Sequence, residues 1–260
     1  MNHGQHKDFT EIAALWCGYT SEQAANLMKG AGGADAIGDV QCPVPFHDAF
    51  PGSWDGLCHF QRPDGSGFYW DADRSLGCLE VIGDFLAAIT RVPVYGDSLP
   101  MRLARAAQPR ASVCDFRFPS AATMGSHLSM FAPLSEENGR ACHMIQDACC
   151  AHHVWGMLLW GHQEFEDALE IVWNKQRAMG EAASDPKAFG RMLRKLVDAE
   201  KVAGRTVEAI IKENAAWALD YFGKPHRLEE CPWDVALPVC ARAIASTMRG
   251  LEIMKGSNAS

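Results

Sequence analysis

Four histidines fall between residues 143 and 162, interleaved with carboxylates: His143, Asp147, His152, His153, His162 and Glu166. His143 and Asp147 are four apart, and His162 and Glu166 repeat the interval. On a helix such residues share one face. Two facing helices that each turn a histidine and a carboxylate inward are a common way to build a metal centre in a helical protein. Imidazole with carboxylate suits zinc, iron or manganese rather than soft-metal chemistry. One such pair on a polar helix is ordinary solvated surface. Here the flanks are Cys142, Ile145, Cys149 and Cys150 around the first pair and Met157, Leu158, Leu159 and Trp160 before the second. Charged groups in such surroundings need partners. Glu164 points about 200° around a helix from Glu166 and is expected in solvent. Clustered divalent ions would lower the pKa of a bound water and clamp a tetrahedral oxyanion, so phosphoester hydrolysis fits this residue set best.

The elements that must position these residues read as helices. Phe9 to Cys17 has helical apolar spacing. Thr20 with Gln23 is a capping box that starts a second helix through Met28, after which Gly30, Gly32 and Gly33 loosen the chain around Asp35. Residues 40–75, rich in proline and glycine, form a long irregular excursion. Its Trp54, Phe60, Tyr69 and Trp70 either line a pocket mouth or pack under the loop. A helix is predicted over 79–91, stopped by Pro93, and a short strand near Val113. Ser135 is the N-cap of a helix through about Cys150, with His153 at its end. Further helices are predicted over His162–Met179, 188–203, 205–222 and 234–254. Lys187, Arg191, Arg194 and Lys195 form a solvated face. The economical architecture is all-α, one domain over 1–260, with a metal cluster between the helices.

Composition bounds the function. The chain has 260 residues, 48% apolar and 22% charged, as expected of a folded protein and not of a disordered one. A net charge of −8 does not argue for capture of nucleic acid. No apolar run approaches the ~18–20 residues a membrane span needs. The polar start, Met-Asn-His-Gly-Gln-His, does not read as a secretory signal, so a cytoplasmic location with reduced thiols is the expectation for the ten cysteines. Binding of two or three dications would offset half to three-quarters of the net charge of −8, so the cluster could hold a small anionic, phosphate-containing substrate without a basic surface.

These motifs resemble the zinc-dependent phospholipase C and S1/P1 nuclease family, helical proteins with a cluster of three zinc ions and the pattern H-x3-D-x5-H followed by H-x3-E or H-x3-D. His143, Asp147 and His153 match the first element, and His162 and Glu166 the second. Cys-His59-Phe-Gln-Arg-Pro-Asp64 is similar to the stretch that supplies another zinc histidine, and His6 followed by Thr10 to the first-helix histidine. Asp35 is similar in placement to the aspartate that ligates zinc and serves as base, with Asp39 as its rival. The resemblance covers residues 6–166 and implies a metal held by Asp35, His59, His143 and Asp147. It implies a second on His153, His162 and Glu166, and a third on His6 and a bridging Asp147. His152 adjoins His153 and competes for that role. Family members bind the third zinc through an N-terminal tryptophan; here Met1 stands first, and His3 is the substitute to consider, although a solvated His3 is the plainer expectation. His47, before Asp48 in the Pro-rich loop, is either a loop hydrogen-bonder or a residue near substrate, and His127 and His226 have no supporting neighbours. A scaffold recruited for non-phosphate biosynthetic chemistry, or a non-catalytic metal-stabilised protein, are the competing functions.

Overall fold

The structure, a computed structural model, describes residues 1, 3–34, 59–61, 65, 120–155, 162–178, 184–223 and 232–256. Among them every regular element is a helix: α1 (His3–Trp16), α2 (Ser21–Gly33), α3 (Ala121–Leu128), α4 (Glu136–Asp147), α5 (Ala151–Trp155), α6 (His162–Ala178), α7 (Pro186–Ala199), α8 (Val207–Phe222) and α9 (Trp233–Gly256). The described residues are all-α, as their periodicity implies. None of these helices is long and apolar enough to cross a membrane. Asp35, Asp39, His47, Trp54, Asp64, Tyr69, Trp70 and His226 lie outside the described residues, as do the helix expected over 79–91 and the strand near Val113.

Local chemistry sets the helix starts. Thr20 accepts from the Gln23 amide at 3.2 Å while Gln23 Oε1 accepts from the Thr20 amide at 2.9 Å, the reciprocal box that the sequence predicts. Ser135 caps α4 through the Asn138 amide, and Ser120 caps α3 through the Thr123 amide. Each such cap contributes about 1 kcal/mol.

α4 is the central element. It packs against α1, α2, α3, α8 and α9, and nearly every residue from Asn138 to Asp147 is buried. Its neighbours share one continuous apolar core with it, to which they bring Leu27, Leu128, Ile211 and Ile244. α1 is tied to α6 by the Phe9–Trp173 ring contact at 4.9 Å, by Trp173 Nε1 donating to Asp8, and by the Arg177–Asp8 ion pair. On the far side, buried Arg242 of α9 donates to Asn214 and Glu213 of α8, and Asn214 donates to the Ile145 carbonyl of α4 at 2.9 Å. These bonds satisfy a guanidinium that burial would otherwise make costly.

Three local expectations are corrected. α2 does not loosen after Met28 but runs to Gly33, because its glycines serve contact rather than breakage. A Cβ on Gly30 would meet the Glu136 carbonyl oxygen at 1.9 Å, and one on Gly139 the Leu27 carbonyl oxygen at 2.2 Å. α2 and α4 therefore touch backbone to backbone. α4 ends at Asp147 rather than near Cys150, because the amides of Cys149 and Cys150 turn to the carbonyls of Gln146 and Asp147, three residues back, at 3.0 and 2.8 Å. α7 stops at Ala199, short of 203, because the Glu213 carboxylate takes the amides of Ala203 and Gly204.

Candidate metal centre

α4 turns His143 and Asp147 to one point, with His143 Nε2 at 2.8 Å from Asp147 Oδ2. The other ring nitrogen of His143, Nδ1, donates to the Ala31 carbonyl of α2 at 2.7 Å. That bond leaves Nε2 with its lone pair toward the carboxylate. α1 adds His6, whose ring stacks on His143 with 3.7 Å between centroids. His6 Nε2 lies 3.3 Å from Asp147 Oδ1 yet makes no hydrogen bond among the described residues, although it is fully buried. His59 completes this side: its Nδ1 is 3.2 Å from Asp147 Oδ2 and 3.0 Å from His143 Nε2. Residues 59–61 are pinned from two directions. Gln61 N donates to the His153 carbonyl, and Phe60 O and Gln61 Oε1 accept from the amides of Ala121 and Ala122 at the start of α3.

The turn at 148–150 redirects the chain so that α5 delivers His153 against α6. His153 Nε2 stands 3.2 Å from Glu166 Oε1 and 3.6 Å from Asp147 Oδ1. His162 Nε2 is 2.9 Å from both Glu166 Oε1 and His153 Nε2. Phe60 packs on both imidazoles and walls this side with hydrocarbon. Two sets of donors thus form, His6 with His143 and Asp147, and His153 with His162 and Glu166. Each set brings one ligating atom per residue within 4.8 Å of the others, and every member is buried. Asp147 faces both sets.

The electrostatics leave four of the donors in the forms a metal requires. Burial alone would raise the Asp147 carboxyl, but the imidazoles of His143 and His153 and the Met1 ammonium outweigh it and hold the group well below the usual carboxylate range. Glu166 is likewise held low, against burial, by the Met1 ammonium and by hydrogen bonds from His153 and His162. Burial pushes His153 down to about 4 and lowers His6 as well. Asp147 and Glu166 as ionised carboxylates, beside neutral His6 and His153, need lose no proton to bind a cation. The donor set fits a divalent ion of the zinc, iron or manganese kind, and the buried, unbonded His6 Nε2 is an atom such an ion would satisfy.

Most of the residues expected from the sequence meet here: His6, His59, His143, Asp147, His153, His162 and Glu166. Asp35 and Asp39 are not among the described residues. His152 does not reach the carboxylates; it stacks 5.5 Å from His162 and lies against Phe165, its ring nitrogens without a hydrogen bond among the described residues. His153 is the member of the pair that faces the cluster. His3 is exposed, so it does not take the place considered for it. The Met1 amino group lies beside the carboxylates, buried 2.5 Å from Glu166 Oε1 and 3.4 Å from Asp147 Oδ1. Glu164 is exposed, as its helical phase requires. Sequence reasoning also missed the Ala31 carbonyl and Gln146, whose Oε1 lies 2.7 Å from His6 Nδ1. A carbonyl acceptor leaves no mark in a side-chain pattern, and a lone glutamine in an apolar helix reads as packing.

Comparison with known families, with curated proteins and with solved structures finds no match to this chain. What can be said of its function rests on the residues themselves.

Proposed function

We propose that the protein is a multinuclear metal-dependent hydrolase, with zinc as the leading candidate metal, that acts on a phosphoester in the manner of the phospholipase C and P1 nuclease enzymes its motifs resemble. The observation that carries this reading is the pair of buried His–His–carboxylate sets that face one shared aspartate. Bound dications would supply a water acidic enough to act as hydroxide at neutral pH and positive charge opposite a phosphoryl group. The chain's own residues supply the rest. His143, fixed by Ala31, and Asp147 orient one side, and Glu166 orients His153 and His162 on the other. Phe60 keeps water from the flank of the second set. The Met1 ammonium stands between Glu166 and Asp147 and offsets part of their negative charge. The resemblance assigns Asp35 as the base that takes the proton of the attacking water.

Elemental analysis of protein purified without chelator is expected to return two or more equivalents of transition metal, one for each donor set. The same protein should cleave a generic phosphodiester such as bis(p-nitrophenyl) phosphate, and lose that activity in chelator. Less than one equivalent of metal would overturn the metal centre. Metal without cleavage would leave the scaffold serving non-phosphate chemistry or stability alone. Asp35→Asn is expected to lower turnover about 10²–10⁴-fold with metal content unchanged. Full turnover in that variant, with loss in Asp39→Asn, would move the base to Asp39.

A further inference from the structure

The Gln146 side chain is fully buried and joins three helices. Its amide nitrogen donates to Thr10 Oγ1 of α1 and to Thr247 Oγ1 of α9, each at 3.0 Å. An amide nitrogen carries two hydrogens, so both are spent. The Thr247 hydroxyl proton is committed as well, to the Ala243 carbonyl at 2.8 Å, so the Thr247 oxygen can only accept. The reversed amide, with its oxygen toward the threonines, would require Thr247 to abandon Ala243. Gln146 Oε1 therefore faces His6 Nδ1, at 2.7 Å. A carbonyl oxygen cannot donate, so the proton between them belongs to His6. A neutral imidazole with its proton on Nδ1 has a bare lone pair on Nε2. That is the atom buried 3.3 Å from Asp147 Oδ1 without a hydrogen bond.

We infer that Gln146 is a positioning residue that fixes the His6 proton on Nδ1, and that α9, through Thr247, thereby takes part in preparing the His6 end of the metal centre. The inference rests on the proposed metal centre for its consequence, but not for the proton's location. A helix that holds none of the donor residues described above sets the tautomer of one that does. Without the lock, His6 can place its proton on Nε2 and donate it to Asp147, a form that cannot bind metal. His6 Nε2 would then be satisfied by the carboxylate it should share with a cation.

The test is nitrogen-15 NMR of metal-free protein labelled at histidine, with His6 assigned through His6→Gln. Wild-type His6 is expected as the Nδ1–H form, and Gln146→Leu and Thr247→Val to populate the Nε2–H form. Thr247→Ser, which keeps the hydroxyl, should restore the wild-type pattern. Metal titration against a competing chelator should show the set containing His6 weakened about 10–100-fold by Gln146→Leu, the usual scale for loss of an outer partner. The set containing Glu166 should hold its affinity. A purely structural role would lower the melting temperature of these variants without moving the tautomer, and that result overturns the inference. So does an Nε2–H wild type. If Gln146→Leu does not fold, the two Thr247 variants decide the matter. If the wild type binds no metal, the proposed function falls, and the tautomer measurement still judges the lock.

Discussion

The two donor sets are built from the same residue types but stand on different foundations. His6, His143 and Asp147 project from the long helices α1 and α4, and their exposures are 0%, 1% and 1%. Two of the imidazoles have a second partner behind them, Ala31 for His143 and Gln146 for His6. His153, by contrast, rides on a helix of 5 residues that follows a tight turn, and its Nδ1 has no hydrogen bond among the described residues. His162 is the first residue of α6, and both it and Glu166 are 9% exposed. The first set is held in place by the core. The second is held mainly by its own members and by Phe60. Equal chemistry therefore does not imply equal rigidity, and rigidity follows from how many packed elements stand behind each ligand.

Asp147→Asn attacks the one residue that faces both sides and should have the largest effect. It removes the negative charge that buried His6, His143 and His153 and the Met1 ammonium all face. Metal content should fall below one equivalent. The metal-free protein should lose about 3–5 kcal/mol of stability, the scale for breaking a buried charge cluster, as read by denaturant unfolding. Retention of metal in the set containing Glu166 would show that the sets are independent.

Graded chelation should separate the sides next. The set on α5 and α6 is expected to release its metal first, and amide hydrogen exchange over 151–155 and 162–166 to accelerate before any change in α4. Loss of an ion present at 100 times its dissociation constant removes about 2.7 kcal/mol, a fall easily seen in the melting temperature. Simultaneous release and uniform exchange would erase the distinction. The smallest effect is reserved for Glu164→Gln, which lies on the exposed face of α6. Stability should change by less than about 0.5 kcal/mol with metal unaltered, whereas Glu166→Gln should empty the second set and spare the first.

What could be read from the sequence follows the same division. The spacing of His143 with Asp147, and of His162 with Glu166, announced both faces, since i and i+4 is a local rule. The caps at Thr20 and Ser135 were equally local. The break at 148–150 was not, because its residues are good core formers and the turn is set by where His153 must arrive. The extension of α2 to Gly33 was hidden because three glycines read as a stop, and only the close neighbour α4 reveals their use. Thr247 was further still: it meets Gln146 across 101 positions of chain, in a region read only as helix. Partners supplied by tertiary contact carry no periodicity to detect.

The seam between α2 and α4 has one more consequence. Gly30 and Gly139 touch no ligand, yet their missing side chains let the Ala31 carbonyl come within reach of His143 Nδ1. A single methyl group at either place would wedge the helices apart and free the imidazole to turn. Over evolutionary time a glutamate can replace an aspartate at a metal and the site can adjust. Alanine at Gly139 has no such neighbour to adjust, since what it would strike is backbone. The positions most resistant to substitution in this protein need not be the ones that would hold an ion.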